Sequence, residues 1–231
     1  MKPVTFRQSI RYSKQVAVAL FLLASAAVAL EAPVLTGGLV RLEPLTLGHV
    51  PDLAQAGGGD RSTFGYTWVP DGPDSAAAYV RDRTGDEGRM AFAQVRLADG
   101  RAVGSTSFLA MRRRPDDGRL FAVEIGATFL APSAQGSGIN AEAKLLLLSH
   151  AFGEWHVGRV DFKTDARNER SRRSIEGIGA RFEGILRSWQ PSLVRGEEGG
   201  LRDTAIFSVV SSEWPEVAER LRRRIEAYRT T

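Results

Sequence analysis

A buried strand that leads through a glycine loop into a helix constrains this chain more than any other feature. Residues 120–130 are almost wholly apolar and predict a central strand, and an amphipathic helix is expected from about 139 to 152. Gly136 and Gly138 lie in the loop between them. Glycine allows close backbone approach, and a helix start presents free N–H groups and a positive dipole end. The segment therefore predicts an anion site suited to a pyrophosphate.

The spacing of these two glycines excludes two common nucleotide-binding loops. It matches neither G-x-G-x-x-G nor G-x-x-x-x-G-K-[ST], so the dinucleotide-binding and P-loop interpretations both fail. A loop with only two glycines is equally compatible with a tight turn between a strand and a helix that binds nothing. On the loop alone, that alternative stays open.

The rest of the chain alternates strands and helices, which predicts one α/β domain with a mixed sheet. No internal repeat or low-complexity linker divides residues 33–231. Strands are expected over 39–42, 91–97, 103–109, 120–130, 159–164, 182–189 and 204–210. Helices are expected over 46–56, 74–83, 139–152, 171–178 and 213–228, with Gly179 as the left-handed stop of the fourth.

Composition excludes several classes of site. The chain has no cysteine, which removes thiol nucleophiles, disulfides and cysteine metal sites. No metal is expected, because no two of its three histidines share a metal-ligand spacing: His49, His150 and His156. Four of the 31 basic residues precede the first acidic one: Lys2, Arg7, Arg11 and Lys14. The other 27 balance 27 acidic residues, so no nucleic-acid-binding surface is expected.

Six short phrases follow the same order and separation as in a known family. They are Glu124-Ile125-Gly126, Phe129-Leu130-Ala131-Pro132, Asn168-x-x-Ser171, Gly179-Ala180-Arg181-Phe182-Glu183-Gly184, Arg202-Asp203 and Glu213-Trp214-Pro215. With the loop Gln135-Gly136-Ser137-Gly138 they resemble the GCN5-related N-acetyltransferase (GNAT) superfamily, whose signature is Q/R-x-x-G-x-G/A. The chain is most similar to the RimJ/RimL-type ribosomal-protein N-terminal acetyltransferases, over about Leu35 to Leu221.

The resemblance implies a fold, a cosubstrate and a reaction. The fold is one GNAT-like domain with a mixed, mostly antiparallel sheet of about six or seven strands flanked by helices, as a monomer or homodimer. The reaction transfers an acetyl group from acetyl-CoA to a primary amine, either a protein N-terminus or a small molecule, without a metal. The resemblance also implies that two neighbouring strands splay apart to admit pantetheine, and that a backbone N–H near Phe129 or Leu130 polarises the thioester. The cofactor-binding residues it implies are Phe129, Leu130, Gln135, Gly136, Ser137, Gly138, Ile139, Asn140, Asn168 and Ser171.

Glu124 and Ser171 are the expected catalytic residues. Glu124 is the only carboxylate in its apolar strand, and burial would raise its pKa toward that of a base for the amine. A structural glutamate, satisfied by an arginine or by backbone, is an equal alternative. The resemblance places the Ser171 hydroxyl near the cofactor sulfur as the acid, with Asn168 holding pantetheine or ordering a water. Asn168 is also a good helix N-cap with Ser171 at its third position, and both roles can hold at once.

Both the acceptor pocket and the catalytic activity have alternative interpretations. Three aromatic residues are expected to line the acceptor pocket and are equally compatible with a plain core: Phe64, Tyr66 and Trp68. The second functional hypothesis is a non-catalytic acyl-CoA-binding module. Such a module would keep the glycine loop but would depend on neither Glu124 nor Ser171.

Residues 1–30 form a separate segment, and the domain is expected over 31–231. The apolar run 16–30 is shorter than the roughly 20 residues of a spanning helix and fits a secretory signal, with a small-residue cleavage site at Ala27-Val28-Ala29. Acyl-CoA, however, is an intracellular cofactor. A non-native extension, an inner-face membrane anchor, and export with a different ligand all stay open. We expect an extension or anchor outside the fold, a cytoplasmic location, and membrane contact only through residues 16–30.

Overall fold

One eight-stranded sheet runs through residues 30–229, the part of the chain that the computed structural model describes. Its strands are β1 (Leu35–Thr36), β2 (Val40–Pro44), β3 (Met90–Arg96), β4 (Ala102–Arg113), β5 (Leu120–Leu130), β6 (Arg159–Asp165), β7 (Arg181–Pro191) and β8 (Leu201–Val210). The spatial order is β1-β2-β3-β4-β5-β6-β8-β7, and only β5 and β6 pair in parallel. The mixed, mostly antiparallel sheet is confirmed. Its additional strand, β1, has only two residues, too few to produce a periodic pattern.

Five helices flank the sheet in the described residues. They are α1 (Val50–Gly58), α2 (Pro73–Thr84), α3 (Ile139–Gly153), α4 (Glu169–Ile178) and α5 (Trp214–Arg229), with short 3-10 turns at Leu47–His49 and Pro132–Ala134. α4 ends as expected at Gly179, whose φ is 109°. α1 begins four residues later than expected. The 3-10 turn comes first, and Pro51, which has no N–H to donate, lies in the first turn of the α-helix.

The core covers both faces of the sheet and extends to the first described residue. Its largest fully buried side chains include Tyr79, Phe92, Phe108, Phe162, Phe207 and Leu147. Burial of one such side chain stabilises the fold by roughly 1.5–3 kcal/mol. Leu30 packs against this core, whereas the remainder of the predicted signal-like segment lies outside the described residues. Within 30–229, no helix combines the length and the apolar character that crossing a bilayer requires.

β5 and β6 diverge after a short paired stretch. Their register runs only from Ala122 opposite Arg159 to Glu124 opposite Asp161. Beyond that point β5 also breaks its register with β4, where Ala127 adopts a left-handed φ of 48°. An irregularity of this kind bends a strand and changes the direction of its side chains. The two central strands therefore enclose an open wedge between their C-terminal halves, the splay that the family resemblance implies.

Candidate active site

A cavity of about 300 Å³ fills the wedge between β5 and β6. Its walls come from β5 beyond Glu124, from β6, from α3 and α4, from the segment between α1 and α2, and from Leu193 and Arg202. Among the described residues, no carboxylate lines it, and four basic side chains do: Lys144, Lys163, Arg170 and Arg202. In the same part of the chain, no group of three or more His, Asp or Glu side chains is arranged to hold a metal ion. The wall chemistry suits an anionic ligand.

Half of the predicted cofactor loop lies on this cavity wall. The three residues are Gln135, Gly136 and Asn140. The Gln135 amide nitrogen donates hydrogen bonds to the Leu130 carbonyl at 2.9 Å and to the Thr63 hydroxyl at 3.1 Å. Its Oε1 accepts one from the Arg170 guanidinium on α4. Gln135 therefore joins the end of β5 to α4 across the mouth of the wedge.

The other three loop residues, Ser137, Gly138 and Ile139, do not line the cavity. The Ser137 hydroxyl donates back to the Ala134 carbonyl at 2.6 Å. Gly138 has a φ of 83°, and a Cβ there would lie 2.9 Å from the Tyr228 ring of α5. Ile139 is buried in the core with 3% of its surface exposed. Any contact from these residues to a ligand would therefore come from their backbone, and their assignment stays a prediction.

Asn140 carries an unmet hydrogen-bonding group at the start of α3. Its amide nitrogen donates to the Ser174 hydroxyl at 3.2 Å, whereas its Oδ1 is buried and accepts no hydrogen bond from the described residues. An unsatisfied buried acceptor costs roughly 1–3 kcal/mol. The first turn of α3 also has no side-chain cap. The loop end thus offers an acceptor and uncapped N–H groups to a ligand.

Asn168 and Ser171 lie together on the α4 side of the cavity. The Asn168 Oδ1 accepts a hydrogen bond from the Ser171 backbone N–H at 3.0 Å, so the predicted N-cap is confirmed. Since the cap fixes the first turn of α4, it also fixes the position of the Ser171 side chain. The structure places both residues where a ligand in the wedge would meet them.

Glu124 is buried and forms an ion pair that differs from the expected one. Only 8% of its surface is exposed, and its Oε2 lies 2.6 Å from Lys163 Nζ, a lysine rather than an arginine. Burial raises the pKa of Glu124 above its usual value, while the Lys163 charge opposes that rise. The Glu124 carboxylate contacts Lys163, which lines the cavity, and does not line the cavity itself.

The three predicted acceptor aromatics separate into two groups. Phe64 and Tyr66 line the cavity, and Phe64 packs edge-to-face on Phe129 with ring centroids 6.4 Å apart. Trp68 does not line it and packs on Tyr79 at 5.1 Å. Their spacing in the sequence could not separate these roles, because the segment between α1 and α2 follows neither a helical nor a strand period.

A family model for the GNAT acetyltransferase domain matches residues 40–181, more than half of the chain. The chain belongs to the GNAT acetyltransferase family. Membership of the GNAT family was therefore predicted correctly from the loop and the six phrases. No curated protein matches its sequence.

Solved structures agree with this family assignment. A candidate acetyltransferase from T. thermophilus is 34% identical, with a TM-score of 0.69 over 83% of this chain and 96% of that one. A GCN5-related N-acetyltransferase from Brucella melitensis is 27% identical, with a TM-score of 0.74 over 85% of this chain and 87% of that one. Mycobacterium smegmatis RimJ, solved in complex with CoA-disulfide, shares the fold at 20% identity, with a TM-score of 0.66 over 86% and 96%.

Lys144 is a basic residue of this GNAT site that was not predicted from the sequence. Lys144 lies in α3 on the cavity wall, and its Nζ donates hydrogen bonds to the hydroxyls of Thr106 at 3.0 Å and Thr128 at 2.7 Å. Burial lowers its pKa to about 7. Helical spacing could have identified it, because Lys144 follows Asn140 by four residues and therefore shares its face of the helix.

The two loop glycines of this GNAT domain are expected to respond differently to alanine. Gly138→Ala should destabilise the protein by about 2–3 kcal/mol, because it adds left-handed strain and a contact at 2.9 Å with Tyr228. Gly136→Ala should cost only about 1 kcal/mol, because its φ of 73° is strained but no atom lies within 4 Å of the new Cβ. Denaturant unfolding of both variants checks this, and equal losses would contradict the packing argument.

Proposed function

We propose that this GNAT protein transfers the acetyl group of acetyl-CoA to a primary amine. The observation that most supports this proposal is the wedge between β5 and β6, which opens beside the glycine loop at the start of α3. From Ile125 to Leu130, no strand within residues 30–229 pairs with β5 on that side. An unpaired strand edge accepts an extended chain as an added strand, which suits pantetheine. The loop and the helix start suit its pyrophosphate.

The side chains around the wedge fit this cosubstrate. The unmet Oδ1 of Asn140 is an acceptor for an amide N–H of pantetheine. The empty space beside Gly136 leaves room for phosphate oxygens near the backbone. Three cations on the described wall, Lys163, Arg170 and Arg202, with no carboxylate among the lining residues, suit a ligand with several negative charges. The residues proposed to hold acetyl-CoA are Phe129, Leu130, Gln135, Gly136, Ser137, Gly138, Ile139, Asn140, Asn168 and Ser171.

Acetyl-CoA supplies an activated thioester, and the protein supplies charge stabilisation and proton transfer. A backbone N–H near Phe129 or Leu130 stabilises the negative charge that develops on the carbonyl oxygen. The Ser171 hydroxyl, held in place by the Asn168 cap, donates a proton to the departing sulfur. Glu124 is the base, and its raised pKa suits that task. Because Lys163 lies between it and the cavity, the amine proton reaches Glu124 through a water.

Removal of the Ser171 hydroxyl should slow turnover far more than it weakens cosubstrate binding. Ser171→Ala is expected to lower kcat by about 100-fold, a typical loss for a positioned proton donor, with a much smaller rise in the Kd for acetyl-CoA. Glu124→Gln should lower kcat similarly and flatten the acidic limb of the pH profile. Arg173→Ala is the control, because Arg173 is exposed on α4, the helix that carries Ser171. Unchanged kcat in both site variants would favour a different acid and base.

The acceptor is proposed to carry a single amine. A second ammonium group would require a carboxylate, and none lines the described wall. Peptide N-termini and small monoamines therefore fit better than polyamines, and Phe64 and Tyr66 are the proposed acceptor contacts.

The function is tested with a panel of peptides, small monoamines and a polyamine, assayed for CoA release. Since the chain has no cysteine, a thiol reagent reports free CoA without protein background. Turnover with a monoamine, verified by the mass of the acetylated product, is the expected result. Acetyl-CoA binding without turnover on any amine would instead favour the non-catalytic acyl-CoA-binding module.

We also propose a cytoplasmic location, with residues 31–231 as the acetyltransferase domain, because acetyl-CoA is an intracellular cosubstrate. Fractionation of cells that express the full chain tests this proposal. A processed product outside the cytoplasm would contradict it and would identify the first segment as a working signal.

A further inference from the structure

Lys144 is a buried lysine that has no acidic partner in the described part of the chain, and it lies beside a cavity that we assign to an acyl donor. The chain has only four lysines: Lys2, Lys14, Lys144 and Lys163. Lys163 pairs with Glu124 at 2.6 Å. Lys144 is 4% exposed, and among the described residues no carboxylate contributes to its electrostatic environment. The side chain is thus placed in the interior without the counter-charge that a buried ammonium requires.

The hydrogen bonds of Lys144 match a neutral amine. A neutral amine has two N–H donors and one lone pair, whereas an ammonium group has three donors and no lone pair. The Nζ has two acceptors in the described residues, the hydroxyls of Thr106 at 3.0 Å and Thr128 at 2.7 Å. These two hydroxyls are 2.8 Å apart and hydrogen-bond each other. These two acceptors account for both N–H groups of a neutral amine, whereas an ammonium group would have a third N–H without an acceptor among them.

The amine also faces the place where an acyl group is expected. Lys144 and Thr128 both line the cavity. Thr128 belongs to the irregular stretch of β5, next to Ala127 with its φ of 48°, where β5 has separated from β6. That stretch is the strand edge to which the proposed function assigns the thioester arm. A nucleophile and its acyl donor would thus share one small space.

We propose that Lys144 is a self-acetylation site. The neutral amine attacks the thioester carbonyl of acetyl-CoA when no acceptor is present, forming a C–N amide bond as the C–S bond breaks. The proton released by the amine neutralises the departing thiolate, so the products are acetyl-Lys144 and CoA. This inference rests on the proposed function. The modified side chain is longer and cannot take a positive charge, so it fills part of the cavity and weakens the next round of cosubstrate binding.

The test incubates the full chain with acetyl-CoA and no amine, then maps acetyl groups by mass spectrometry of its peptides. Acetylation of Lys144 is expected to be about tenfold faster than that of Lys2 and Lys14, because a bound donor reacts at a high effective concentration. The rate should rise with pH and level off above about pH 7, following the pKa of Lys144. Excess CoA should suppress it. Lys144→Arg and Lys144→Met should both abolish the signal.

Calorimetry with acetyl-CoA on the same sample separates the outcomes. Binding without acetyl-Lys144 at any pH would overturn this inference and leave the proposed function intact. Equal labelling of Lys144 and the N-terminal lysines, insensitive to CoA, would also overturn it, since that pattern is solution chemistry. Absence of binding would overturn both proposals.

Discussion

Lys144→Met should raise the free energy of unfolding by about 3 kcal/mol at pH 7. Lysine in the unfolded chain titrates near 10.5, whereas burial lowers the pKa of Lys144 to about 7 in the folded protein. Each unit of pKa shift corresponds to 1.36 kcal/mol, so folding around this side chain costs on the order of 5 kcal/mol. Loss of its hydrogen bonds to Thr106 and Thr128 offsets about 2 kcal/mol of that gain. Methionine is unbranched and adapts to a space of this shape.

The pH dependence of this difference identifies its cause. Between about pH 7 and 10.5, the unfolded chain holds a proton on Lys144 that the folded protein has lost. Wild-type stability from this group therefore rises with pH over that window, by up to about 1.4 kcal/mol per unit. The methionine variant lacks the effect. The difference in free energy of unfolding between Lys144→Met and the wild type should be largest at and below pH 7, and it should decrease toward pH 10.5.

Guanidinium unfolding of both proteins across this pH range measures the difference directly. Lys163→Met is the matched control, and it should destabilise the protein because it leaves Glu124 buried without its partner. A Lys144→Met variant that is less stable than wild type at every pH would contradict the account of a buried, uncompensated amine.

Glu142→Ala should destabilise the protein by about 4 kcal/mol. Glu142 is 5% exposed on α3, and its carboxylate accepts the backbone N–H groups of Gly38 at 2.9 Å, Leu39 at 2.6 Å and Val40 at 2.9 Å. These bonds hold the turn between β1 and β2 against the helix that follows the cofactor loop. Alanine would leave the buried Val40 N–H without an acceptor, and the part-buried N–H groups of Gly38 and Leu39 would also lose theirs, at roughly 1–3 kcal/mol each where water cannot replace the carboxylate.

Glu142→Gln is the informative companion variant. It keeps one acceptor oxygen and the shape of the side chain, so it should cost about half as much as alanine. Glu154→Ala, exposed at the other end of α3, should change the free energy of unfolding by less than about 0.5 kcal/mol. Denaturant unfolding of the three variants checks the order. An alanine variant within about 1 kcal/mol of wild type would show that the turn is held by other contacts.

The parts of the site that local sequence determines could be predicted. The apolar run of β5, the glycines after it and the Asn168 cap each act within a few residues, through strand burial, backbone freedom and a side chain that caps its own helix. Those features were sufficient to identify the family. The wedge itself is a property of that family and entered through the resemblance.

The remainder depends on contacts between distant segments. The partner of Glu124 is Lys163, which the parallel register of β5 and β6 brings to it from another strand. Gly138 lies under Tyr228 because α5 returns to the loop from the far end of the chain. Residue spacing reports neither arrangement. Lys144 is different, since its position one helical turn after Asn140 could have been read from the sequence.

The central claim, that the wedge and glycine loop bind acetyl-CoA, is tested most directly by calorimetric titration of acetyl-CoA into the full chain. Gly136→Glu is the matched variant, because its side chain would enter open space on the cavity wall and bring a negative charge to the proposed phosphate position. Gly138→Glu is unsuitable, since it would collide with Tyr228. We predict a Kd of about micromolar for the wild type and loss of binding in the variant. No binding by the wild type, or equal binding by both, would contradict the account.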